Sequence, residues 1–301
     1  MSKITFKIII YFFIGLGIVL LCTAFYGILN ENVIHYKGAV NWVYLKKVAD
    51  TCMFLAIPWN IAGVFLLYLT LNVQQKQFEK TDSYIRQQQF ETTFFNMLNV
   101  LTNIKKSIYY EYTSLAQNSL NEIHIKKDQE FFYFALNDLK RLFNNYYNTL
   151  DSENQIKIIM EKVKSNTPVN QLERDIIKDD LNEIYLNFYE KYHSNLGHYF
   201  RYVFNLMKFA IERRKSDKDE KDYIDLIQAQ LTNDELSLIF YNAYSDNGLN
   251  RKKDYKFHEW LDKYNFFENL DDRSLLLREH HMLYDRTRFK FLNSDELKLK
   301  G

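Results

Sequence analysis

Residues 51–73 read TCMFLAIPWNIAGVFLLYLTLNV, and residues 74–106 continue QQKQFEKTDSYIRQQQFETTFFNMLNVLTNIKK. The first stretch carries no formally charged side chain. As a helix at ~1.5 Å per residue it would reach across a ~30 Å hydrocarbon core. The second stretch contains no Gly or Pro, and Phe90, Phe94, Met97, Leu98 and Leu101 recur at helical spacing. The two together predict one long helix that begins apolar all round and ends amphipathic. Pro58 marks either a kink or the start of regular helix. The polar run Gln74–Gln89 is the expected exposed exit from the apolar part.

Upstream, Ile8–Leu29 is also free of charge. Lys3 and Lys7 imitate the basic end of a signal peptide. The apolar stretch, however, outruns the usual ~7–15 residues and no small-x-small cleavage site follows, so an uncleaved span is expected. The connector Asn30–Asp50 offers Trp42 and Tyr44 as interface aromatics. Lys3, Lys7, Lys76, Lys80 and Arg86 flank the pair of spans on one side, against Lys37, Lys46 and Lys47 in the connector. That balance predicts both termini in the cytoplasm. Neither span holds an Asp, Glu, Lys, Arg or His, which argues against a transporter with an ion relay.

Residues 76–301 are expected to form an all-α soluble domain after this two-helix portion of residues 1–75. The chain has only 8 Gly and 2 Pro against 23 Tyr and 24 Phe, so long unbroken elements with large rings to bury are predicted. Helices are expected over Asp128–Thr149 and Ser152–Lys164. Thr167-Pro168 reads as an N-cap followed by Pro at the first helical position, starting a helix to about Tyr192. A break at His193–Gly197 is expected before a helix over Leu196–Ile211. The charge mixture Glu212–Asp222 reads as a solvated helix end or loop. Beyond it come Tyr223–Gln230 and a helix to about Tyr244 capped by the box Thr232-Asn233-Asp234-Glu235. One or two aromatic-rich helices are expected within residues 256–292.

The full chain carries a formal net charge of +1 and no basic stripe, which argues against nucleic acid as a partner. Both cysteines, Cys22 and Cys52, lie in the apolar segments, leaving the soluble part without a thiolate metal site or disulfide. No HExxH, GxSxG or Gly-rich phosphate loop occurs, and no cofactor is implied. The Arg-polar-x3-His core of helical RNases is not met, since Arg273 and His280 stand too far apart. No catalytic or metal-binding residues are assigned. The most unusual feature is His198, Arg201, Asn205 and Lys208 at i, i+3, i+7, i+10 spacing on an otherwise apolar helix. Two readings stand open. One is a pocket for an acidic ligand; the other is a buried polar stripe satisfied by acids such as Glu91 or Glu235.

Three segments carry a resemblance: Gln89-Phe90-Glu91-Thr92-Thr93-Phe94-Phe95-Asn96-Met97-Leu98, Gly197-His198-Tyr199-Phe200-Arg201, and Ala229–Leu236 followed by Phe240-Tyr241-Asn242. In this order behind two apolar spans, they resemble the phage abortive infection family of AbiC-like membrane proteins. The resemblance implies antiviral defence in bacteria; related two-span proteins stand beside retrons, where membrane damage is the proposed outcome. Glu91, Asn96, His198, Arg201, Gln230, Glu235 and Asn242 occupy its motif positions and are the candidate ligand-pocket residues. The resulting expectation is a bacterial inner-membrane effector or sensor that acts without enzymatic chemistry. Its partners would be the lipid bilayer, further copies of itself, and a phage-derived trigger or defence-system partner. The alternative is an abortive-infection enzyme, such as a nuclease, whose helical active site carries no familiar motif.

Overall fold

The computed structural model describes residues 42–115, 121–165, 167–213, 217–248 and 256–293, with scattered positions between 11 and 40. The chain divides into two compact units, Met1–Gln88 and Gln89–Gly301. Most of Ile8–Leu29, and with it the first expected span, lies outside the described residues.

In the first unit a two-residue ladder pairs β1 (His35–Tyr36) with β2 (Ala39–Val40). Helix α1 follows over Trp42–Ser107, unbroken, as the absence of Gly and Pro after Gly63 leads one to expect. Many of its apolar side chains here face outward, including Met53, Phe54, Ile61, Val64, Leu67 and Leu71. Gly17 sits against the indole of Trp59, where an added Cβ would fall 1.7 Å from a ring carbon. Among the described residues, no helix is long and apolar enough to cross a membrane.

The second unit is mainly helical, with one departure from an all-α arrangement. Strands β3 (Tyr109–Leu115) and β4 (Asn121–Lys127) form an antiparallel hairpin, with Tyr112 opposite His124. Alternation explains it: Tyr110 and Tyr112 point inward, Tyr110 onto Tyr192 (ring centroids 4.9 Å) and Tyr112 onto Phe134 (5.0 Å). Ile123 and Ile125 are exposed.

Helix α2 (Asp128–Thr149) and α3 (Gln155–Lys164) precede α4 (Gln171–Glu212). The start of α4 falls after Thr167-Pro168. Asn170 is its cap, accepting from the Glu173 N–H while the Glu173 carboxylate takes the Asn170 N–H. The break expected at His193–Gly197 is absent, and α4 runs straight through those residues. Gly197 is tolerated there because the Tyr189 hydroxyl lies over it, 2.7 Å from where a Cβ would stand.

Helix α5 covers Asp217–Gln228, so the charge mixture is partly helical. Helix α6 is Asn233–Tyr244 and α7 is Lys256–Lys263. Residues beyond α7 form short 3-10 turns rather than further long helices. The left-handed Asn265 (φ 55°) ends α7, and the Phe266 N–H donates back to the Leu261 carbonyl at 2.9 Å. The returning chain is held by Asp262, whose carboxylate accepts the N–H groups of Arg286 (3.0 Å) and Thr287 (2.8 Å).

The core is dominated by rings. Phe131, Phe132, Phe188, Tyr192, Tyr199, Phe240, Phe267 and Tyr284 are buried. Helix α4 lies along this core and contributes Leu181, Phe188, Tyr192, Tyr199, Val203 and Met207 to it. At roughly 25 cal/mol per Å² and ~150–250 Å² per ring, such residues supply most of the apolar driving force.

Candidate functional site

The seven candidate residues do not converge on one pocket. Glu91 is half-buried and accepts from the Tyr223 hydroxyl at 3.4 Å. Asn96, His198, Arg201 and Gln230 are exposed. Glu235 and Asn242 are buried. The stripe His198, Arg201, Asn205 and Lys208 does share one face of α4, but that face is exposed along its length. The buried-stripe expectation is therefore corrected. The opposite face, through Tyr199, Val203, Leu206 and Ala210, is the one that packs.

Glu235 forms the best-satisfied polar station. It is fully buried, and its carboxylate accepts from the Lys105 ammonium (2.9 Å), the Tyr199 hydroxyl (2.8 Å) and the Thr232 N–H (2.9 Å). Lys105 also donates to the Gln230 carbonyl at 2.8 Å, so Gln230 enters through its backbone rather than its side chain. The Thr232 hydroxyl closes the capping box by accepting from the Glu235 N–H. Burial and then the Glu235 charge push the Tyr199 phenol well above its ordinary range, keeping it a protonated donor. One carboxylate thus ties the C-terminal end of α1 and the start of α6 to the interior of α4. The Thr-x-x-Glu pattern announces the cap, whereas nothing in the local sequence announces Lys105 as the countercharge.

Asp138, absent from the sequence reading, is a second closed station. Its buried carboxylate accepts from Arg141 (2.6 Å), Lys191 (2.8 Å) and Tyr192 (3.0 Å). Burial pushes its pKa up, but hydrogen bonds from Lys191, Arg141 and Tyr192 outweigh this and hold it below the ordinary carboxylate value. A third station joins α6 to the C-terminal turns. The Tyr241 hydroxyl accepts from the Leu276 N–H (2.8 Å) and lies 2.9 Å from Nδ1 of His280. Either tautomer of a neutral His280 satisfies this contact, since the hydroxyl can donate to Nδ1 or accept from it. Burial, then the neighbouring His281, depresses the His280 pKa to about 3. His280 is therefore neutral and walled in, unsuited to exchanging protons with a substrate.

Asn242 sits in a different setting. Reciprocal hydrogen bonds between Asn182 and Asp246, both 2.9 Å, and the Tyr199–Glu235 bond set α4 and α6 antiparallel. That register brings Asn242 opposite Tyr185. The Tyr185 hydroxyl is buried and makes no hydrogen bond of ordinary geometry. Burial raises its pKa well above the usual phenol value, and the Asn242 side chain, close enough to donate to the hydroxyl, pulls the other way. Among the described residues no cluster of three or more His, Cys, Asp or Glu is arranged to hold a metal ion.

These motif residues fall where the comparison with known families finds its match. Residues 191–275, from the C-terminal half of α4 past α7 to the turn at Asp272–Ser274, match the family described as "Putative phage abortive infection protein". The match covers less than a third of the chain and includes Gly197–Arg201, Ala229–Leu236 and Phe240–Asn242, while Gln89–Leu98 lies outside it. It supports the resemblance read from those motifs. No curated protein and no solved structure matches the chain.

Proposed function

We propose that the chain is a membrane-anchored effector or sensor of phage abortive infection, working by an infection-triggered change at the bilayer rather than by catalysis. The family match to residues 191–275 supports the defence role. The membrane role is carried by one observation: between Met53 and Val73 large apolar side chains are exposed, Phe54 at 74% and Leu67 at 60%, with no charge among them. Contiguous apolar surface of this kind is unstable in water and stable against lipid. Gly17 against Trp59 supports a close-packed helical pair, since small residues let helix backbones approach in lipid. On this reading both termini face the cytoplasm, and the second unit receives the trigger. The titratable groups most suited to chemistry, His280 and Tyr241, are sealed and mutually satisfied, which favours a binding or switching role.

The test follows membrane potential in bacteria expressing the chain during phage infection, with the protein tracked by fractionation. Sedimentation with membranes and a fall in potential before phage-induced lysis are expected. Val64→Lys combined with Leu67→Lys should move the protein to the soluble fraction and abolish the fall, because each charge at mid-span costs ~2.5–3.5 kcal/mol. Recovery of the unaltered protein in the soluble fraction, or growth arrest with unchanged potential, would contradict the proposal.

A further inference from the structure

Helix α1 carries a second pattern besides its apolar beginning. Ile57, Val64, Leu71, Phe78 and Ile85 recur at intervals of seven, and all five are exposed. Three residues beyond each stand Asn60, Leu67, Gln74, Thr81 and Gln88, also exposed. Together they are the a and d positions of a heptad repeat and form one stripe along the helix. The stripe lies wholly within the first unit, Met1–Gln88. It runs opposite the face of Trp59, Ala62 and Leu69, where Gly17 stands against Trp59 and the other two are half-buried. Beyond the apolar span residues 73–89 are all exposed, Phe78 at 74%. Lys76, Glu79, Lys80 and Arg86 fall off the stripe, and Asp82 beside it pairs with Arg86 at 2.9 Å.

Asn60 points to what covers the stripe. Within the span, Thr70 and Asn72 return their side-chain donors to their own helix, to the carbonyls of Leu66 (2.8 Å) and Tyr68 (3.1 Å). Asn60 makes no side-chain hydrogen bond among the described residues and is exposed amid large apolar side chains. Against lipid an amide without a partner is costly, and a neighbouring helix that offers a second amide removes the cost. A primary amide both donates and accepts, so Asn60 is complementary to itself. In a parallel pair of identical helices every stripe residue meets its own counterpart. A stripe free of charge permits that arrangement, whereas a charged one would repel itself. The seven-residue period further requires the partner to be a helix supercoiled with α1.

We propose that α1 pairs in parallel with α1 of a second copy of this chain, along the stripe from Ile57 to Gln88. Asn60 bonds to its counterpart across the pair, and Phe78 and Ile85 cover each other beyond the apolar span. The parallel direction rests on the membrane reading above, since copies inserted the same way present the stripe in the same sense. The pairing gives that reading a partner, a second copy of the chain itself.

The test is single-cysteine cross-linking of the full chain expressed in bacteria, in a background with Cys22→Ser and Cys52→Ser. A disulfide needs Cα atoms within ~7 Å, which facing a positions of a parallel pair provide and outer positions do not. Leu71→Cys, Phe78→Cys and Ile85→Cys are expected to give at least about fivefold more dimer than Lys76→Cys and Lys80→Cys. All five probe positions are exposed, so each chain should keep its fold. Adding Asn60→Leu, apolar and similar in size, should lower the Ile85→Cys dimer about threefold to tenfold, and Asn60→Gln should retain it. Fractionation before oxidation keeps the two readings apart. Chain found soluble contradicts the membrane role, while preferential cross-linking at positions 78 and 85 in that fraction still upholds the pairing. The proposal is overturned if the dimer shows no preference for the stripe or if Asn60→Leu leaves it unchanged. A cross-linked band that is not twice the mass of the chain would also overturn it, because another protein would then cover the stripe.

Discussion

Two tyrosines on α4, Tyr199 and Tyr185, are both fully buried and face the same neighbouring helix, yet their hydroxyls have opposite fates. Tyr199 donates to Glu235, itself held by Lys105 and Thr232, so that every polar atom in the station has a partner. Tyr185, four turns away, has only the Asn242 side chain beside it, outside ordinary hydrogen-bond geometry. Closed stations of the first kind hold the bundle together. An open one carries a standing cost, and folds retain such costs mostly at sites that do something. The family match covers Tyr199, Arg201 and Asn242 but stops short of Tyr185 and Tyr189.

The largest effect expected is from Glu235→Ala. It strands the Lys105 ammonium, which is only 16% exposed, together with the Tyr199 hydroxyl and the α6 cap. A loss of about 3–5 kcal/mol is expected in chemical denaturation. A value under ~1 kcal/mol would show that the station is not what joins these helices.

Next in size is the pH response of the Tyr241–His280 station. The folded His280 pKa of about 3 lies below its ordinary value of 6.5, so only the unfolded chain takes up this proton between them. Stability is therefore fully present above pH 6.5 and is lost as pH falls toward 3, by up to ~1.4 kcal/mol per pH unit. His280→Gln should lower stability at pH 7 but flatten the decline between pH 6 and pH 4 relative to the unaltered chain. Parallel curves would mean that His280 is not buried neutral.

Asp138 titrates in a lower window. Its depressed pKa gives stability that is present above the unfolded carboxylate value near 4 and lost as pH falls through the folded one. Asp138→Asn should thus cost most at neutral pH and converge on the unaltered chain once pH falls below the depressed folded value. Equal costs at both pH values would remove the charge from the explanation.

Much of this arrangement was legible in the chain, and the gaps have physical causes. The Thr232–Glu235 box and the unbroken α1 follow from local rules that tertiary structure did not override. Spacing correctly put His198, Arg201, Asn205 and Lys208 on one face. Spacing cannot say which face a neighbour covers, so their exposure was not foreseen. Gly197 was misread as a break because its reason is a ring two turns away, at Tyr189. The β3–β4 hairpin was missed although Tyr110, Tyr112, Ile123 and Ile125 alternate, since two seven-residue strands are a faint signal beside so many helical runs. Lys105 and Asp138 were invisible as station members because their partners are remote in sequence.

The smallest expected effects fall at the exposed Arg201 and at the open station. Arg201→Gln should leave stability within about 0.5 kcal/mol, having no partner to lose. The most direct test of the division along α4 is one substitution made twice, Tyr199→Phe and Tyr185→Phe, with unfolding free energies measured by chemical denaturation. Tyr199→Phe is expected to cost about 1.5–3 kcal/mol by taking a donor from a buried carboxylate. Tyr185→Phe is expected to be neutral or to stabilise by up to ~1 kcal/mol, since it removes an unmet polar group. Equal losses at the two positions would contradict the distinction between a closed station and an open one.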